Sequence, residues 1–223
     1  MRALVLLLLM MGGCASTSSD ARLRFVSSRA TQASWSLVVD DRARGAELWI
    51  DGRLRDDACD RVRTQIRCEL RGMFPGGHTL ELRTAGAVLR RTVLIGAPWR
   101  ETLALVRVTN EDEAEAAAKA GADAVIIVGG DWKPIVDAAH KAGIRALAVG
   151  DAGAIEWAGA DGVVGGEIPP ALHARFPEAR AFGWPPEATS GDEARALLAR
   201  GNAIVAAGAF DALRERRHRR VFY

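Results

Sequence analysis

The chain has 223 residues, a formal net charge of +2 and a hydrophobic content of 49%. That length accommodates one large domain or two modest ones. A charge balance this even excludes the strongly basic surface of a nucleic-acid-binding domain, so no nucleic-acid partner is expected.

The N-terminus opens Met1-Arg2-Ala3, runs through Leu4-Val5-Leu6-Leu7-Leu8-Leu9-Met10-Met11 and reaches Gly12-Gly13-Cys14. A positive start, a short apolar run and small residues at a cleavage point read as an export signal. The run is far below the ~20 residues that span a bilayer, so no permanent transmembrane helix is expected here. Met11-Gly12-Gly13-Cys14 resembles the lipobox of bacterial lipoproteins. The resemblance implies a signal peptide over residues 1–13, cleavage before Cys14, and lipidation of Cys14. A conventional signal peptide cut elsewhere is the alternative. Two or three acyl chains would make the membrane a stable partner, where one would not. Ala15 rather than Asp follows the cysteine, which in the sorting pattern of that family implies an outer-membrane, periplasm-facing protein. Residues 14–21 are small and polar, as in a flexible tether.

Residues 22–97 predict a small all-β sandwich. Short β-favouring runs cover Leu23–Ser27, Ser34–Val39, Ala46–Asp51, Thr64–Leu70, His78–Thr84 and Val88–Ile95, with turn residues at Asp40-Asp41, Asp51-Gly52 and Pro75-Gly76-Gly77. Ser34 to Leu37 and Thr79 to Arg83 alternate with period two. Glu47 to Leu54, followed by Phe74 to Leu82, resembles PEGA-type β-sandwich modules, which implies a structural or adhesive role. Cys59 and Cys68 face an oxidising compartment after export. A disulfide is expected rather than a metal site, with two free thiols as the alternative.

Residues 98–223 change rhythm. Apolar runs at Leu103–Val108, Ala124–Val128, Ala146–Val149, Gly162–Val164, Ala179–Phe182 and Ala203–Ala207 alternate with helical stretches at Glu111–Ala120, Pro134–Ala142 and Asp192–Arg200. Asn110 before Glu111-Asp112-Glu113 is an N-cap with acids in the first turn. Gly121, Gly143 and Gly201 close helices. The βαβα order predicts a parallel sheet covered by helices, about six βα units in a partial TIM-barrel-like fold. Five arginines, Arg214, Arg216, Arg217, Arg219 and Arg220, crowd the end of the chain. They read as a solvated C-terminal helix, or alternatively as a contact for anionic lipid.

Val108-Thr109-Asn110-Glu111-Asp112-Glu113-Ala114, Ala120-Gly121-Ala122-Asp123, His140-Lys141-Ala142-Gly143-Ile144 and Ala158-Gly159-Ala160-Asp161-Gly162-Val163 together resemble the 2-keto-3-deoxy-6-phosphogluconate aldolases. That implies a truncated (β/α) barrel. The chemistry does not carry over. Val164 stands where the resemblance puts the Schiff-base lysine, and valine forms no imine. Gly183-Trp184-Pro185-Pro186 replaces a glycine-rich phosphate turn, and its prolines lack the N–H groups that would bind phosphate. A weaker resemblance, to glycerophosphodiester phosphodiesterases, rests on Ala138 to Ile144 and Ala160 to Val163. The metal-binding His and Glu residues of that family have no counterpart here.

Ligands of such sheets meet the C-terminal ends of the strands. There lie Asp131, Asp151 and Glu167. They are candidates to hold a divalent cation through oxygen, or to act as acid and base on a glycoside. Asp131 and Asp151 also fit as helix N-caps. Trp132 and Trp184 beside them offer flat faces to a sugar, or else pack. No resident cofactor is expected. The leading expectation is a non-catalytic, lipid-anchored envelope protein that binds or scaffolds, with an envelope protein or glycan as partner. The alternative is an envelope hydrolase of glycans or phosphodiesters using the three acids. A lyase holding a metal on the same acids is a third reading.

Overall fold

The computed structural model describes residues 24–31, 33–40, 45–84 and 87–221. The expected signal peptide, the expected lipidation site Cys14 and the expected tether lie outside the described residues.

The N-terminal part contains β1 (Arg24–Ala30), β2 (Ser34–Asp40), β3 (Glu47–Ile50), β4 (Arg53–Leu54), β5 (Cys59–Val62), β6 (Gln65–Arg71), β7 (Gly76–Arg83) and β8 (Val88–Ile95). They form two antiparallel four-stranded sheets, ordered β1-β2-β6-β5 and β4-β3-β7-β8. Alternate residues explain the pairing. Trp35, Leu37 and Val39 of β2 and Ile66, Cys68 and Leu70 of β6 turn inward, and meet Leu48, Ile50, Leu80 and Leu82 of the second sheet in one core. The indole N–H of Trp35 donates to Ser28 Oγ at 2.8 Å, so its one polar atom is satisfied inside that core. Asp51 and Gly52 both take positive φ, +48° and +76°, the geometry of a type I′ turn that joins β3 to β4. Cys59 and Cys68 stand opposite each other on β5 and β6 and form a disulfide. The short strands β4 and β5 were not anticipated. Both are sheet edges whose side chains are mostly exposed, so no buried face imprints alternation on them.

The C-terminal part runs β9 (Ala104–Val108), α1 (Glu111–Ala120), β10 (Ala124–Ile127), α2 (Trp132–Lys141), β11 (Arg145–Val149), α3 (Ala154–Trp157), β12 (Gly162–Val164), α4 (Pro170–Arg175), β13 (Arg180–Phe182), β14 (Glu187–Ala188), α5 (Gly191–Leu198), β15 (Ala203–Val205) and α6 (Phe210–Val221). All the strand pairs are parallel, in the order β13-β12-β11-β10-β9-β15-β14. Taken round a circle, this is barrel order: β15 returns beside β9, and the sheet is open between β13 and β14. Among the described residues, each strand except β13 is followed by a helix, which gives six βα units. The four residues from Gly183 to Pro186 leave no room for one after β13. Strands β10, β12 and β15 are apolar and buried throughout because both faces are covered. Ala104, Val106, Val125, Ile127, Ala146 and Val163 face the helices, in a core that includes Ala114, Ala117, Ile135 and Val136. Leu105, Ile126, Leu147, Val164 and Ile204 face inward and fill the barrel interior. Val164 is thus part of an apolar plug.

The two domains are joined along the second sheet and the lower side of the barrel. An added Cβ on Gly77 of β7 would sit 2.2 Å from the backbone oxygen of His140 in α2. Only glycine permits that approach. Arg91 of β8 donates to the carbonyls of Ile155 (2.9 Å) and Glu156 (3.1 Å). Arg175 of α4 reaches back to the carbonyls of Val26 and Phe25 in β1. In α6, Arg214 and Arg217 are exposed, as a solvated helix requires, and Arg216 is half-buried. Arg216 bonds Asp123 Oδ2 at 2.7 Å and the Thr102 carbonyl at 2.9 Å, pinning α6 beneath β9.

Candidate functional site

The rim at the C-terminal ends of the strands carries the residues singled out by sequence. Asp131 is the N-cap of α2, its carboxylate accepting from the Lys133 N–H at 3.3 Å. Asp151 accepts from the Gly153 N–H at 2.8 Å and so holds the turn that leads into α3. Two of the three acids are therefore engaged with backbone donors of the turn that follows each strand. Glu167 is exposed, between Gly165-Gly166 and Pro169-Pro170. No group of three His, Cys, Asp or Glu side chains is placed to hold a metal ion among the described residues. The convergence that a three-acid cation site requires is thus not seen there.

The tryptophans divide. Trp132 packs partly into the helix-side core and stacks on Trp157, with ring centroids 5.7 Å apart at 18°. Trp157, which sequence reading passed over, is 54% exposed. Trp184 is 53% exposed at the open seam. The guanidinium of Arg107 lies 5.5 Å from its ring centroid and pairs with Glu187 at 3.0 Å. Arg107 follows Leu105 on the inward face of β9. Its signal in the sequence is a charge within an otherwise apolar, buried strand.

A second polar centre lies between the domains, at the N-terminal ends of the strands. Asp161 accepts from His140 Nε2 (2.7 Å), Arg145 Nη1 (2.8 Å) and the Ala146 N–H (2.9 Å). His140 is only 1% exposed, and its Nδ1 lies 3.0 Å from Thr92 Oγ1 of the sandwich. Thr92 in turn donates to Asp137 at 2.7 Å. Burial alone would raise the Asp161 carboxyl. The charges of His140 and Arg145, with the hydrogen bonds from His140 and Ala146, outweigh it and hold the group at about 2. His140 is a satisfied interior histidine bridging the two domains. A cleft of about 410 Å³ opens beside this cluster, with Arg91, Trp99, Arg145, Glu178 and Arg180 among its walls.

No protein-family model matches the chain, and no curated protein matches it. Solved structures give distant likenesses. A putative α-galactosidase/melibiase from Bacteroides fragilis has TM-score 0.31 and 11% identity over 74% of this chain and 51% of that one. A second putative α-galactosidase from the same organism has TM-score 0.29 and 11% identity, over 80% and 55%. An FMN-binding β-glucuronidase from Facaelibacterium prausnitzii has TM-score 0.38 and 9% identity, over 70% and 33%. The chain spans about half the length of the first two. Likenesses this distant assign no activity to it.

Proposed function

We propose that this protein is a lipid-anchored cell-envelope protein, processed before Cys14 and facing the periplasm from the outer membrane, whose two domains bind or scaffold rather than catalyse. The observation that carries the non-catalytic reading is the engagement of Asp131 and Asp151 with the N–H groups of Lys133 and Gly153. An acid held as a cap is poorly placed to move protons on a substrate. The Cys59–Cys68 disulfide supports an oxidising compartment. The sandwich is a PEGA-like structural module in this reading, and the α/β part a barrel whose aldolase chemistry is lost. The partner is an envelope glycan or protein. Trp184, with Arg107 and Glu187 beside it, supports a glycan, since a sugar ring needs an apolar face next to a donor and an acceptor.

The test is labelling of the full chain in cells with radioactive palmitate, followed by membrane fractionation. Label and membrane association are expected in the wild type and absent in Cys14→Ala. An unlabelled wild type overturns the anchor. Incubation of the full-length protein with cell-wall glycan is expected to show retention that Trp184→Ala weakens. Release of soluble fragments that is lost in Asp131→Asn or Glu167→Gln would overturn the non-catalytic reading in favour of the hydrolase.

A further inference from the structure

Two residues that line the interdomain cleft each carry a buried side-chain atom left unmatched by the described residues. Asp161 is saturated by His140, Arg145 and the Ala146 N–H. Arg145 is spent on Asp161 and the Ala97 carbonyl. Thr92 is spent on Asp137 and His140. What remains is Arg91 Nε and Glu178 Oε1, both buried and, among the described residues, both without a hydrogen-bond partner. Unmatched buried polar atoms are rare because each forfeits its hydration.

Arg91 comes from β8 of the sandwich and Glu178 from the segment between α4 and β13, and both line the same cleft. Arg91 is 6% exposed. Its two terminal nitrogens are held by the Ile155 and Glu156 carbonyls, and its guanidinium carbon lies 5.0 and 5.1 Å from the rings of Phe25 and Phe176. The group is therefore fixed, with one of its three nitrogens, Nε, left without a partner and no carboxylate hydrogen-bonded to it among the described residues. Burial lowers the Arg91 guanidinium to about 10, against the pull of Asp161 and other nearby acids, so it stays charged at neutral pH. Burial likewise raises the Glu178 carboxyl, against the N–H groups of Glu178 and Ala30 and the charges of Arg29 and Arg145. Each group would gain from an opposite charge supplied by a ligand. The cleft volume, about 410 Å³, falls in the range of small-molecule sites.

We propose that the interdomain cleft binds a small zwitterion, an α-amino acid or short peptide, with its carboxylate on Arg91 Nε–H and its ammonium on Glu178 Oε1. Such a ligand matches both leftover atoms with one molecule and bridges the two domains. This site is separate from the strand-end rim and does not depend on the reading of that rim.

The experiment is calorimetric titration of the full-length, detergent-solubilised protein. The probes are alanine, lysine, glutamate and dialanine, with propionate and ethylamine as single-charge controls. At least one zwitterion is expected to bind saturably and at least tenfold more tightly than either control. Glu178→Gln keeps the shape of the side chain and removes its charge, and is expected to weaken that binding roughly tenfold or more, the scale of a hydrogen bond to a charged group. Arg91→Lys is expected to do the same. Because Arg91 also joins the domains, its variant counts only if its thermal midpoint is close to wild type, and Glu178→Gln decides otherwise. Absence of binding by all four zwitterions at millimolar concentration overturns the proposal, as does propionate or ethylamine binding equally well. Binding indifferent to Glu178→Gln overturns it too. Water then fills the cleft.

Discussion

Replacing Asp161 by asparagine removes a charge from the centre of the domain junction while keeping the shape. The carboxyl is held at about 2 against an ordinary value of 3.8. That difference corresponds to about 2–3 kcal/mol of stability. The folded-state value is the depressed one, so this stabilisation is fully present above the unfolded value and is lost as pH falls through the folded one. At pH 5 the gap between wild type and Asp161→Asn should contain nearly all of it; at pH 3 roughly half should remain. A window from pH 5 to pH 3 lies below the ordinary titration range of free histidine. Urea denaturation of both proteins across that window, followed by tryptophan fluorescence, reads the gap directly. The substitution also leaves Arg145 and His140 without their anion, and removing one partner of a buried pair costs about 3–5 kcal/mol in other proteins. A gap below about 1 kcal/mol at pH 5, or one that does not narrow towards pH 3, would refute the assignment of Asp161 as an ionised anchor for His140 and Arg145.

Gly77→Ala places a Cβ 2.2 Å from the His140 carbonyl and so separates β7 from α2. Differential scanning calorimetry is expected to show a lowered transition that splits in two as the domains lose their shared boundary. A single unshifted peak would count against the tight junction. Replacing Cys59 and Cys68 together by serine opens a loop with a sequence separation of 9. The expected loss is about 2–3 kcal/mol on the chain-entropy model. Matching urea midpoints for the oxidised wild type and the double variant would contradict it.

Much of the fold was legible because burial on one face leaves a periodic record. Strands β2 and β6 alternate, α1 carries its cap at Asn110 and its stop at Gly121, and β10 is apolar throughout because both its faces are covered. Elements too short for a period were missed or blurred. Strand β14 has two residues and α3 has four. The rim residues Asp131 and Asp151 were located correctly at strand ends, and their capping geometry was one of the two readings open from the start. The charge of Arg107 within an apolar strand is legible in the sequence, whereas its pairing with Glu187 is set only by β9 and β14 coming together in the fold.

The sequence by itself determined the order of the longer elements, the change from antiparallel strands to βα units, and the cysteine pair. Each depends on neighbours along the chain, or on composition, and local chemistry encodes both. The tertiary structure alone decided which charges meet. His140 and Asp161 are 21 residues apart and Thr92 and His140 are 48 apart, so only the docking of the sandwich on the barrel brings them into one cluster. The same docking leaves Arg91 and Glu178 facing a common cleft. No periodicity records such pairs, because their interaction energy is set by burial and distance in the folded chain.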